Sequence, residues 1–447
     1  MNENEKYCAM CFDVMRVNRN LWYEVHNDFL CGMQEIDQVM GPDPAEFAVV
    51  LMVRGLFTKW TQPVSFALVT ENRRYPELKE WLHKIIALMF DIGLNIKAFV
   101  CDLETEFIDA FVRPETHYFE IDGRRIYQYY DVRYLFRSVR NDFMQYNFHV
   151  GEKVAQWSHI LKVYDKDKNH ELSLMPKITK EHVRPTGESL FDTELAVQVF
   201  STSVAAAMNF HVIAKMAPKK TTDTVEFILK MSKLFDVFSS NKMSNAYRGT
   251  AEQNQVLLEI LEYLQELEVR DKHGNAMDRR SVVGLMVNIR SVLSLLEVLK
   301  MENIHHLCTK ILRKDCLETL FDECRRLGGN CCERPTPIMF ARSFRRFFLE
   351  SLKYNALDDE YEQDLKSTLT KIGEHVKADT GMKQEPEFDH RKTLAGVSDY
   401  KLVQWPSTEY IAGYLVWKCL KTHKCPEFIE YLSNQYDIPV EENAATL

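Results

Sequence analysis

Apolar positions in the first third of the chain fall in short runs, and helical spacing interrupts them only once. Residues 7–17 read as a short strand, and 47–57 (FAVVLMVRGLF) and 60–69 (WTQPVSFALV) as two more, close enough to pair as a hairpin. In residues 76–90 the apolar side chains Leu78, Trp81, Leu82, Ile85, Ile86 and Met89 recur at helical spacing. The β-rich run IKAFVC at 96–101 then ends in Asp102. A further strand pair, 118–121 and 126–130, turns at Asp122-Gly123, a strong hairpin signal.

From about residue 191 to 300 the pattern becomes almost continuous helix. Leu257, Leu258, Ile260, Leu261, Leu264 and Leu267 form one apolar stripe, and Leu285, Ile289, Val292, Leu293, Leu296 and Leu299 another, both read as core. Two more helices are expected at 317–327 and 338–354. Residues 356–399 are polar, acid-rich and weakly periodic, hence read as mostly linker or disordered. A last helical pair is expected at 408–420 and 427–432, and no internal repeat is visible.

A length of 447 residues with 46% hydrophobic content allows two or three packed domains and excludes disorder of the whole chain. The opening residues MNENEKYCAM lack a basic stretch followed by an apolar run, and no segment reaches about eighteen uninterrupted apolar residues, so a chain without a membrane partner is expected. Eleven scattered cysteines suggest reduced thiols of the cytosol or nucleus. A net charge of −9 argues against binding nucleic acid over the whole surface. DNA contact must then be local. The best local candidate is 310–346, where Lys310, Arg313, Lys314, Arg325, Arg326, Arg334, Arg342, Arg345 and Arg346 outnumber the acids; a solvated helical face is the competing reading.

Two-metal phosphodiester chemistry needs about three carboxylates converging on one point, because magnesium prefers hard oxygen ligands. Asp13 interrupts the apolar first strand in AMCFDVM, where a buried charge is costly unless it is paired or binds metal. Asp102 ends the strand IKAFVCD, where a sheet typically presents ligands to a cleft. That order of acids, the first mid-strand and the second at a strand tip beyond a hairpin and a helix, suits a ribonuclease H-like nuclease. Asp at a strand end is also a common turn former. Cys8 and Cys11 point to opposite faces of a strand and lack a second pair at zinc-site distance. Cys419, His423 and Cys425 are closer to a ligand cluster, but Phe428 stands at the natural fourth position. His305-His306 has no obvious partner, and no P-loop, Gly-rich dinucleotide turn or nucleophile motif occurs.

Several segments, in order, resemble the P-element transposase family and its THAP-domain relatives. CFDVMRV is similar to the first catalytic strand, VRGLFTKWTQPVSFAL to the hairpin and IKAFVCD to the strand of the second catalytic Asp. FEIDGRRIYQYYDVRYLFRSVRNDFMQYNF resembles the segment in which a hairpin leads through an Asp into a helix. LAVQVFSTSVAAAMNF and TVEFILKMSKLFDVFSS resemble the start of the helical insertion, KDCLETLFDECRRLGG the helix of the catalytic Glu, and YIAGYLVWKCL the C-terminal helix. The resemblance implies an α/β fold, a ribonuclease H-like mixed sheet interrupted by a mostly α-helical insertion domain, with a helical C-terminal segment. The implied division is core at 1–190, GTP-binding-type insertion at 191–305, core with the catalytic helix at 306–354, linker at 355–405 and a C-terminal helical segment at 406–447.

Carried over to this chain, the resemblance makes Asp13, Asp102 and Glu318 the triad for Mg²⁺ or Mn²⁺, serving DNA cleavage and strand transfer. Phe235 and Asp236 match a stretch that holds a guanine nucleotide, and Asp315 an acid joining that site. The family's usual residues are replaced here by Val14, by Leu103-Glu104-Thr105-Glu106, by Ser239 for an Asn of the nucleotide stretch, and by Phe321-Asp322, so GTP binding is expected to be weakened. The chain begins almost at the first core strand, and the zinc-binding THAP module and dimerisation helix are expected to be absent. Expected partners are DNA through a local basic surface and a homo-oligomer, and the expected location is nuclear. The alternative function is a domesticated, catalytically inactive regulator that binds DNA or protein.

Overall fold

The computed structural model describes residues 3–24, 29–70, 76–103, 116–168, 173–278, 280–327 and 333–354; the expected linker, the C-terminal helical segment and the group Cys419, His423 and Cys425 lie outside them. The strands are β1 (Tyr7–Arg16), β2 (Trp22–Glu24), β3 (Phe29–Cys31), β4 (Met33–Ile36), β5 (Val39–Pro44), β6 (Phe47–Gly55), β7 (Thr61–Val69), β8 (Asn95–Cys101), β9 (Tyr118–Ile121), β10 (Arg124–Tyr130), β11 (Asn147–Val150), β12 (Lys153–Ala155) and β13 (Glu268–Arg270). The helices are α1 (Pro76–Asp91), α2 (Val132–Gln145), α3 (Trp157–Asp167), α4 (Lys180–Val183), α5 (Thr193–Val199), α6 (Thr202–Ile213), α7 (Thr221–Phe238), α8 (Ala251–Glu266), α9 (Arg280–Met301), α10 (Asp315–Leu327) and α11 (Pro337–Tyr354). The order β5-β4-β7-β6-β1-β8-β10-β9 makes an eight-stranded mixed sheet. By compactness the chain divides into two units, one of residues 1–7, 14–96 and 316 onward, the other of residues 8–13 and 97–315.

In the first unit the expected hairpin forms, with β6 and β7 antiparallel from Phe47 opposite Val69 to Arg54 opposite Thr61 and a register shift between Leu51 and Met52. Both strands are buried along most of their length, which explains their near-continuous apolar runs. The amphipathic α1 buries Leu78, Trp81, Leu82, Ile85, Ile86, Met89 and Phe90. Helix α11 lays Phe340 and Phe344 against Phe66 of β7, with ring centroids 5.3 and 4.9 Å apart.

In the second unit β8 and β10 run parallel, Cys101 opposite Tyr130, and β9 pairs antiparallel with β10. Their hairpin turns at Asp122 and Gly123, both at positive φ (50° and 70°), as the sequence pattern requires. Beyond the end of β9, α9 takes over the free flank of β10. The Asn288 carboxamide accepts from the Tyr130 N–H at 2.7 Å and donates to the Tyr130 carbonyl at 2.8 Å, as a neighbouring strand would. Ser291 donates to the Gln128 and His117 carbonyls. By length and composition α9, like the stretch Thr193–Ile213, is apolar enough to cross a membrane, but thirteen of its residues are buried. A small sheet, β12-β11-β13, and α3 to α8 complete the unit around the rings of Phe143, Phe148, Trp157, Phe200 and Phe227.

Candidate active site

Strand β1 carries Asp13 between apolar neighbours, and β8 hands over directly to Asp102. Both side chains are nearly buried, 12% and 14% exposed, and both turn to one point. That point is occupied by the Lys314 ammonium, 2% exposed, 2.9 Å from Asp13 Oδ2 and 2.5 Å from Asp102 Oδ2. The same nitrogen lies 4.1 Å from the centre of the Tyr134 ring. The second oxygen of Asp102, Oδ1, is buried and has no hydrogen-bond partner among the described residues.

With all three groups ionised, two carboxylates face one ammonium and a net negative charge remains in a low-dielectric pocket. Burial pushes the Asp102 carboxyl up, against the pull of Lys314 and helped by Asp13 and Asp131, to about 7. Burial works against the charge on Lys314 too, but Asp102 and Asp13 outweigh it and hold the ammonium above the ordinary lysine range. Lys314 stands immediately before the first residue of α10, where the helix dipole disfavours a cation. The carboxylates, not the helix, account for its charge.

Asp131 fixes the frame around this pair. Its backbone N–H continues β8 by donating to the Cys101 carbonyl at 2.9 Å. One carboxylate oxygen caps α2 by accepting from Arg133 N, and the other accepts from Lys314 N, each at 2.9 Å. Arg133 in turn pairs with Asp315. Arg313 points elsewhere, donating to Ser239 Oγ at 2.6 Å with its guanidinium 5.8 Å from the centre of the Phe235 ring. Three consecutive residues, Arg313, Lys314 and Asp315, thus reach three different sets of partners.

The description "TNP-like, RNase H N-terminal domain" matches residues 1–113, and "TNP-like, GTP-binding insertion domain" matches residues 134–250. A curated relative, the Transposable element P transposase of Drosophila melanogaster, is 22% identical over 454 residues that take in 96% of this chain. The chain belongs to the P-element transposase-like family. It spans 58% of that relative's length. A solved structure, the Drosophila P element transposase strand transfer complex, shares the fold with a TM-score of 0.66 at 23% identity, covering 78% of either chain.

In this P-element-like chain the structure brings Asp13 and Asp102 together. Glu318, half-buried, follows Asp315 by one turn of α10 and falls in the other compact unit. Among the described residues no three His, Cys, Asp or Glu side chains form a group able to hold a metal ion. The Asp13 and Asp102 oxygens are nevertheless hard donors already converging on a cation, with one buried oxygen of Asp102 to spare, and they fit a divalent ion by chemistry. Of the nucleotide residues, Phe235 and Ser239 are joined through Arg313, Asp315 is engaged by Arg133, and Asp236 is exposed on α7. The sequence reading gave no place in the candidate active site to Lys314, Arg313, Arg133 or Asp131. It counted Arg313 and Lys314 towards a basic surface, whereas both are buried, and only the cost of burying the Asp13 charge hinted that a cation would answer it.

Proposed function

We propose that the chain is the catalytic core of a P-element-like DNA transposase that cleaves DNA and joins strands with Asp13, Asp102 and Glu318. The observation that carries this reading is the convergence of Asp13 and Asp102, from separate strands, on one cation position. Asp13 and Asp102 would hold one Mg²⁺ or Mn²⁺, and Glu318 would complete the set. Bound there, divalent ions make water or a DNA 3′-hydroxyl a better nucleophile at phosphorus and stabilise the departing oxygen. The chain's own part is to hold two oxygen donors rigidly on strands, and Asp131 supports that by tying β8, α2 and the start of α10 together.

DNA would be met by the exposed Arg342 and Arg345 of α11, since Arg313 and Lys314 face inward. A nuclear location, a homo-oligomer and a weak preference for guanine nucleotides belong to the same reading. The second reading, an inactive regulator, is favoured by the lysine standing between the carboxylates. Nicking of supercoiled DNA with Mg²⁺ or Mn²⁺ separates the two. We expect nicking in the unaltered chain and none in Asp13→Asn with its circular dichroism unchanged; nicking that survives the substitution assigns the chemistry elsewhere, and no nicking by the unaltered chain favours the regulator.

A further inference from the structure

We propose that Lys314 is a built-in latch: its ammonium holds Asp13 and Asp102 together in the absence of a divalent ion and must leave before the two carboxylates take one up. The inference rests on the reading of Asp13 and Asp102 as metal ligands. The ammonium contacts both carboxylates at 2.9 and 2.5 Å, within the space that an ion about 2.0–2.1 Å from carboxylate oxygen would need. Two cations cannot share it. Lys314 is also nearly closed off from water, so its charge has no solvent to fall back on while it stays there.

The movement required is confined to a side chain. The Lys314 backbone is pinned by Asp131 and its neighbours by Ser239 and Arg133, whereas the lysine stem has four flexible carbons. With the ammonium in place, its attraction for both carboxylates offsets part of their mutual repulsion, so the ligand pair is assembled in advance. Ion uptake becomes an exchange of one cation for another, and the exchange lowers the apparent affinity for the ion.

Calorimetric titration of Mn²⁺ into the whole chain and into Lys314→Met, which keeps the unbranched stem but ends one atom short and removes the charge, tests this. We expect Lys314→Met to bind Mn²⁺ tighter by about tenfold or more, and its melting temperature to rise further with Mn²⁺ than that of the unaltered chain. Binding by Lys314→Met alone would be the extreme form of the same result. Equal affinity in both, abolished by Asp13→Asn, would leave the metal site standing and overturn the latch. Mn²⁺ binding by neither would remove the metal site and the latch with it. If Lys314→Met fails to fold, acetylation of the unaltered chain followed by peptide mass spectrometry replaces it. Lys314 should be protected without metal and labelled several-fold faster at saturating Mn²⁺; labelling unchanged while Mn²⁺ is bound would overturn the proposal.

Discussion

Arg313 shows how closely neighbouring residues divide the work around the candidate site. Its guanidinium covers the Phe235 ring on which a base would stack, and it already uses the Ser239 hydroxyl. Asp315, which could accept from the guanine N1 and N2 edge, is held by Arg133. A nucleotide would have to displace both partners. Each buried polar group left unpaired in the exchange costs about 1–3 kcal/mol, and the shorter Ser239 offers one donor fewer than the Asn it replaces. The expected outcome of calorimetric titration is that GTP binds more weakly than about 1 μM and ATP more weakly still. Tight binding of either, or a preference for ATP, would show that this cluster has another use.

Among the elements, α9 makes the clearest energetic statement. A 22-residue apolar helix gives no sequence signal that one Asn will serve as a missing strand, yet Asn288 satisfies both backbone groups of Tyr130. Replacing it with Ala removes both of these buried hydrogen bonds, at about 1–3 kcal/mol each. Urea unfolding of Asn288→Ala should show a loss of at least about 2 kcal/mol with an unchanged m-value, whereas a loss under about 0.5 kcal/mol would mean that β10 is satisfied in another way.

The same scale shows what was legible in the sequence. Strands β1, β6, β7, β8, β9 and β10 and helices α1, α10 and α11 lie within a residue or two of the expected positions, because long apolar runs, helical spacing and Asp122-Gly123 are local signals. Strands β2 to β5 and β11 to β13 went unread, being only three to six residues long. The β4–β5 turn lacks a glycine, with Asp37 and Gln38 themselves at positive φ. The carboxylates Asp13 and Asp102 were visible because a charge in an apolar strand demands a partner. Lys314 was not, since a lysine before an amphipathic helix resembles any solvated one and its partners lie 212 and 301 residues away.

For the whole molecule, a net charge of −9 means that DNA, if bound as proposed, would be met by a restricted surface against general repulsion. Arg342 and Arg345 are exposed on α11, while Arg325 and Arg326 are paired with Asp322 and Glu323 on their own helix. Changing Arg342 and Arg345 to Glu should weaken DNA binding without loss of sequence preference. It should also flatten the plot of log affinity against log salt by about 0.9 for each phosphate that is no longer neutralised. An unaltered salt slope would move the DNA surface away from α11.

The ion pair between Asp13 and Lys314 closes a span of 301 residues, and this has a meaning in time. At about 5–20 residues per second, a ribosome that has released Asp13 needs on the order of 15–60 seconds more to deliver Lys314. For that interval the first strand carries an acid whose Lys314 partner has yet to be made, and β8 later adds a second. Tight packing of these two strands is therefore expected only once the start of α10 emerges. Any shortened product that stops before Lys314 would keep both acids and lack the ammonium that joins them, so such fragments should depend on chaperones and be degraded quickly.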